Sequence, residues 1–467
     1  MIKPMEVCYL DLHEAARRVA EKDISPVELT ETLLARIDTV DVRVRSYVTV
    51  LHEEARRAAR VAEQSMRRGG YRGPLHGIPI AIKDLYNTKG VETTSCSKVR
   101  AGFIPDKDCT VVSKLREAGA VILGKVTTHE FAFGFDSVPT RNPWNLDHIP
   151  SGSSGGSGAA LAAGLCFAAT GSDTGGSIRA PAAANGIAGI KPTYGRVSKE
   201  GVAVLSWSLD HTGPMARSVR DLAIVLHAIA GFDPDDPHTK DVPVPDYAAA
   251  LTGNIRGVRI GVPRNYFFDD VQAPVQDAVT AAIGTLQSLG ANAVPVTIAG
   301  LDDILDCFFP LVTSEASTYH QKTLRQSPDL FGEDVRLFLE TGELMLATTY
   351  ITAQRARSVF KASFREALQD VDVMVTPTQP MTAPKVGQTV CRFGDREESV
   401  FAASARFCAP FNLSGLPAAS VPCGFAPDGL PIGLQIVGKP FDEATVLRVA
   451  DAFERHSDWH LRHPALK

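Results

Sequence analysis

Residues 151–177 read SGSSGGSGAALAAGLCFAATGSDTGGS. Eight of these 27 positions are glycine and six are serine, against 38 glycines in 467 residues, so the enrichment is local and needs a cause. A flexible Gly/Ser linker is the bland explanation. It fails on the apolar stretch Ala159–Ala169 and on Ile178-Arg179-Ala180-Pro181, neither of which belongs in a linker. The spacing predicts two tight turns, one at each end of a buried helix. Glycine there lets backbone N–H groups approach a ligand and take φ > 0. A serine nucleophile needs a base, and none of the twelve histidines falls in this segment. A lysine serves if burial strips its proton. Lys83 meets that need, ending the uncharged run Ile78-Pro79-Ile80-Ala81-Ile82. A wet lysine paired with Asp84 explains the same strand end equally well, and the run alone does not choose between them.

Other chemistries fail on inspection. Gly119–Lys125 matches G-x-x-x-x-G-K, but Val126 stands where Ser or Thr is required, and the order is helix, glycine, strand where a phosphate loop needs strand, loop, helix. The one G-x-G, Gly156–Gly158, does not extend to a dinucleotide fingerprint, because position 161 is Leu161. His129-Glu130 begins an H-E-x-x-H that ends in Phe133, and no G-x-S-x-G occurs. The eight cysteines contain no C-x-x-C, so they are expected to pack as small hydrophobes. No metal and no cofactor are expected.

These residues need a frame to hold them. The first seventy residues read as a helical cover, with a capping box at Ser25-Pro26-Val27-Glu28 and a second helix from about Leu51 to Arg68, stopped by Gly69-Gly70. From Gly77 strands and helices alternate: Ile78–Ile82, a helix capped by Asp108 through Glu117, Ala120–Leu123, Val258–Val262, Val275–Leu289, Ala293–Val296, Thr349–Leu368 and Val371–Thr376. That alternation predicts an α/β layered fold around a mostly buried sheet. One large domain over 1–467 is favoured, with residues 1–70 as its cover and Asp233–Pro245 as an exposed connection. The charge, 48 basic against 53 acidic residues, is −5 and argues against nucleic-acid and anionic-membrane binding. The longest apolar stretch, about twelve residues, falls short of the roughly twenty a membrane span needs. The N-terminus shows no secretory h-region. A cytoplasmic protein is expected.

In these features the chain resembles the amidase signature hydrolases. The likeness covers nearly the whole chain: Gly77–Asp84, Asn142-Pro143-Trp144-Asn145, Ser151–Pro181, Gly189-Ile190-Lys191-Pro192-Thr193, Asn412–Pro417 and Gly433-Leu434-Gln435. The resemblance implies a large mixed, mostly buried β-sheet covered by helices on both faces. It also implies a Ser–cis-Ser–Lys triad with Ser177 as nucleophile, Ser153 as bridging serine and Lys83 as base. Backbone N–H groups of Thr174, Gly175, Gly176 and Ser177 would form the oxyanion hole. Asp173 and Arg179 would fix the turn as an ion pair, with Ser154 and Ser172 hydrogen-bonding backbone in support. One departure stands out: Ser151 occupies a position where the family usually has glycine.

Phe131, Ala132 and Phe133, in His129–Phe135, match the family loop lining the acyl side of the pocket, and Thr376–Pro380 resembles another pocket wall. Three phenylalanines within five residues fit an apolar or aromatic acyl group and fit core packing equally well. The activity expected is hydrolysis of small apolar or aryl amides, and of esters, carbamates or ureas alike. The expected partner is a small-molecule amide, with neither nucleic acid nor membrane, and with a homodimer as the assembly entertained. The alternative is the glutaminase subunit of a tRNA-dependent amidotransferase, which Lys191–Ser198 also resembles. Against it, that subunit usually has Gln after Leu-Asp, where this chain has Leu209-Asp210-His211.

Overall fold

Residues 79–83 carry no charge before Lys83, and in the computed structural model they form a strand buried on both faces. The structure describes residues 4–466; residues 1–3 and 467, the ends of the expected domain, lie outside them. Thirteen strands are found among the described residues. They are β1 (Tyr47–Val50), β2 (Pro79–Lys83), β3 (Val121–Val126), β4 (Ala168–Asp173), β5 (Ala188–Lys191), β6 (His211–Ala216) and β7 (Arg259–Pro263). β8 (Asn292–Val296), β9 (Val373–Pro377), β10 (Val390–Phe393), β11 (Arg396–Ser399), β12 (Ala418–Phe425) and β13 (Pro431–Gly438) follow. Eleven of them join in one sheet, in the order β1-β3-β2-β4-β6-β5-β12-β13-β9-β7-β8, while β10 and β11 form a separate hairpin. β2 runs parallel to β3 and β4, and β7 to β8 and β9; the other pairings are antiparallel. The sheet is therefore mixed, as expected.

Helices cover both of its faces. A Cβ on Gly433 would run into Ala183 of the helix Arg179–Asn185, and one on Gly438 into Val446 of the helix Glu443–Glu454. Positions 433 and 438 differ by an odd number along β13, so the two helices lie on opposite faces. No helix among the described residues is long and apolar enough to cross a membrane.

Several boundaries differ from expectation, each for a local reason. The cover over residues 1–70 is not wholly helical: Tyr-Val-Thr-Val at 47–50, rich in β-branched residues, pairs antiparallel with β3 as an edge strand. Its two expected helices do form, Pro26–Arg36 with both hydrogen bonds of the Ser25–Glu28 capping box, and His52–Arg67. The helix 110–117 starts one residue later than a cap at Asp108 would place it. Cys109 is the cap, and the Asp108 carboxylate accepts the Lys89 N–H instead (2.7 Å). The apolar stretch 159–169 is not one helix. The helix Gly155–Ala162 stops before Gly164, whose φ of 69° turns the chain into β4. The segment Asp233–Pro245 is not simply an exposed connection either, since Asp233, Asp236 and Thr239 are buried.

Candidate active site

β2 and β4 are parallel neighbours, with Ile80 opposite Ala168 and Ala81 opposite Ala169. Lys83, the last residue of β2, is thereby set against the end of β4, and its backbone N–H donates to Thr170 Oγ1 (2.9 Å). The Lys83 side chain is fully buried. Its Nζ lies 2.8 Å from Ser153 Oγ, 2.8 Å from Ser154 Oγ and 2.9 Å from Ser172 Oγ. Asp84 takes no part: its carboxylate faces Lys125 at 3.6 Å and accepts from Thr94. Burial pushes the Lys83 ammonium down to about 7, with Asp173 the main charge opposing the shift. A neutral lysine has two N–H donors and one lone pair, so three hydroxyls satisfy it if one of them donates to nitrogen. Ser154 and Ser172 thus meet the lysine directly, a contact not anticipated from the sequence, because a buried amine needs a partner for every polar site.

Ser153 follows a cis peptide bond from Gly152. A Cβ on Gly152 would come 2.6 Å from the Phe135 carbonyl carbon, so only glycine lets these two backbones meet. Ser151, which replaces the family's usual glycine, has φ 60°, a left-handed conformation that glycine adopts more freely. Ser177 meets this segment through the backbone, its carbonyl accepting the Ser154 N–H at 3.2 Å. No hydrogen bond joins Ser177 Oγ to Ser153 among the described residues.

The turn that presents Ser177 is held by Asp173. Its carboxylate accepts the N–H groups of Gly176 (2.9 Å) and Ile178 (3.1 Å) and pairs with Arg179 at 2.8 Å, both side chains being fully buried. Burial alone would raise the Asp173 carboxyl; Arg179 overcomes this and holds it well below the usual carboxylate range. Arg179 in turn donates to Gln435 Oε1 (2.7 Å) and Asn412 Oδ1 (2.7 Å). Two motifs more than 200 residues downstream therefore complete one guanidinium. The Gly176 N–H, expected in an oxyanion hole, is already engaged by Asp173, which leaves those of Thr174, Gly175 and Ser177.

Beside this turn lies a cavity whose described lining carries no charged side chain. Ala132, Phe133 and Phe135 form one wall, and Phe308, Val312 and Phe401 another. Phe131 is turned away. The loop is a short 3₁₀ turn with φ of 48° at Phe131 and 62° at Ala132, so its phenylalanines do not share a face. The Phe131 ring packs on His320 at 4.3 Å, while Phe133 stacks on Phe338 at 5.0 Å. Thr376–Pro380 does not line this cavity either; Gln379 Nε2 instead donates to Ser404 O (2.9 Å). The wall from Phe308 to Phe401 has no sequence signal, because a buried phenylalanine reads alike whether it faces a core or a cavity.

A family model described as Amidase matches residues 28–447. A protein named Amidase from Pseudomonas putida is 44% identical over 459 residues, 98% of each chain. The A subunit of a glutamyl-tRNA(Gln) amidotransferase from Chloroflexus aggregans is 42% identical over 489 residues, 99% of each chain. A crystal structure described as that of an amidase superposes with a TM-score of 0.88 at 33% identity, covering 96% of this chain and 100% of that one.

Proposed function

The chain belongs to the amidase signature family of amide hydrolases, and we propose that it cleaves small apolar or aryl amides through Ser177, Ser153 and Lys83. One observation carries the reading: a fully buried lysine amine faces three serine hydroxyls and no carboxylate, beside an apolar cavity that Ser177 lines. Neutral Lys83 takes the Ser153 proton as Ser153 takes that of Ser177, and Ser177 Oγ bonds to the carbonyl carbon. The C=O π pair moves to oxygen, where backbone N–H groups of Thr174, Gly175 and Ser177 receive it. The C–N bond then breaks with its electron pair on nitrogen. Ser153 protonates that nitrogen and regains a proton from Lys83. Water repeats the relay on the acyl-serine and frees the acid. Esters, carbamates and ureas present the same carbonyl and leaving group.

Glutamine would bring an ammonium and a carboxylate into the cavity. The uncharged lining offers neither a partner, which favours a free-standing amidase over a component of an amidotransferase. Mass spectrometry after treatment with a fluorophosphonate tests the assignment. The adduct is expected on Ser177, and Ser177→Ala should lose both label and hydrolysis with its circular dichroism unchanged. Label on Ser153 or Ser154 would overturn it.

A further inference from the structure

Behind Ala132, Thr174 and Leu205 lies a second cavity of about 200 Å³, which shares those three residues with the acyl cavity and reaches Ser172. His211 forms part of its wall. The ring's Nδ1 is 2.6 Å from Leu209 O and 3.2 Å from Asp173 O. Carbonyls only accept, so Nδ1 carries the proton. Asn412 Nδ2, 3.4 Å from Nδ1, directs its own protons to Asp173 O and Oδ1. Burial and the neighbouring Lys191 hold the imidazole neutral. Nε2 is therefore the lone-pair end, and it is buried without a partner. A buried acceptor of this kind lacks a donor.

The rest of the chamber is acidic. Asp210, Asp235, Asp236 and Glu200 line it beside Lys199, whose Nζ already donates to Trp207 O (2.6 Å) and Tyr194 Oη (3.1 Å), while Glu200 is paired with Lys107 (2.7 Å), which leaves the three aspartates as the acidic side. Asp210 is fixed in place by Thr174 Oγ1 (2.6 Å), a residue of the turn that presents Ser177. An apolar chamber and an acidic, acceptor-bearing one thus meet at that turn.

We infer that the second cavity receives the amine half of the substrate, its N–H donating to His211 Nε2 and any cationic group on it facing the acidic rim. The inference rests on the acyl-serine reading and supplies its leaving-group side. When the C–N bond breaks, the amine must leave the carbonyl before water arrives, and this chamber offers it both hydrogen-bonding and charge complementarity. Leu209-Asp210-His211, the motif that departs from the amidotransferase pattern, becomes a determinant of which amines are released.

The test compares N-(2-aminoethyl)benzamide with N-propylbenzamide, which share an acyl group and differ in one cationic nitrogen. Rates are normalised to Ser177 sites counted by fluorophosphonate. In the wild type, kcat/KM should favour the cationic amine by about tenfold at low salt. Asp235→Asn, which removes an exposed rim charge, should shrink that ratio. His211→Phe should lower kcat/KM on both amides by about tenfold, and His211→Gln, which restores an acceptor, should recover most of it. Labelled, active enzyme with a ratio near one, or Phe and Gln variants that fall alike, would overturn the inference while leaving the acyl-serine reading intact. Absence of label and of hydrolysis would overturn both.

Discussion

Lys83 Nζ has three hydroxyl neighbours and no counter-ion, so burial sets its proton affinity. With an ammonium near 7, the proposed relay should stall below that pH and run above it. kcat/KM should rise about tenfold per pH unit below 7 and level off on the alkaline side. Lys83→Ala should cost about 10²–10⁴ in turnover, the usual contribution of a positioned base. A flat pH profile, or a variant with near-normal turnover, would exclude Lys83 as the base. The same shift has a stability consequence. An unfolded lysine titrates near about 10.4, so between about pH 7 and 10 the unfolded chain binds the extra proton and stability rises with pH. Urea midpoints of wild type and Lys83→Met, compared at about pH 7 and pH 9, should show the wild type gaining on the variant.

At the scale of the element, the turn from β4 into the helix Arg179–Asn185 depends on one carboxylate. Asp173→Asn would leave Arg179 as an unpaired buried cation and weaken two backbone anchors. The expected loss is about 3–5 kcal/mol in urea denaturation, together with a fall in kcat as Ser177 loses its orientation. The 129–135 turn divides its phenylalanines between two tasks. Phe131→Ala should lower stability by about 3–5 kcal/mol, as for a buried aromatic, and leave the preference between benzamide and acetamide unchanged. Phe133→Ala should shift that preference toward the smaller acyl group. Equal effects from both would make the turn core alone. Residue types allowed the three phenylalanines to share a face or to diverge, and the positive φ at Phe131 and Ala132, invisible in residue type, decides for divergence. The glycine and serine turns stood out in the sequence, whereas Lys83, Ser153 and Ser177 were singled out as a set only through the family resemblance, because the uncharged strand end fits a buried base and a wet lysine equally well. The Asp108 cap failed because its carboxylate is taken by the Lys89 N–H, and the single helix over 159–169 failed at Gly164, whose positive φ turns the chain.

At the scale of the whole molecule, the purified chain should hydrolyse benzamide-type substrates without a partner and prefer them to glutamine in kcat/KM. Activity on glutamine alone, or only with added partner proteins, would move it toward the amidotransferases. Strand–helix alternation along the chain pointed to the layered class, but not to the order of the sheet. That order depends on pairings such as β12 with β5, between residues more than 200 positions apart, which no local pattern encodes. The Arg179 network has the same character: Asn412 and Gln435 stood out as motifs, while their common partner became visible only once folded. The two walls of the acyl cavity differ in how they are anchored. One belongs to the 129–135 turn, beside the turn that Asp173 and Arg179 tie into the sheet; the other is carried by the helix Ile304–Gln326, which packs mainly against other helices, and by Val400–Arg406, which packs on helices and on the β10–β11 hairpin. On the proposed reading, substitutions on that second wall should retune the acceptable acyl group while Lys83 and Ser177 stay where the sheet and its adjoining turn hold them, which would let a lineage drift in diet without relearning its chemistry.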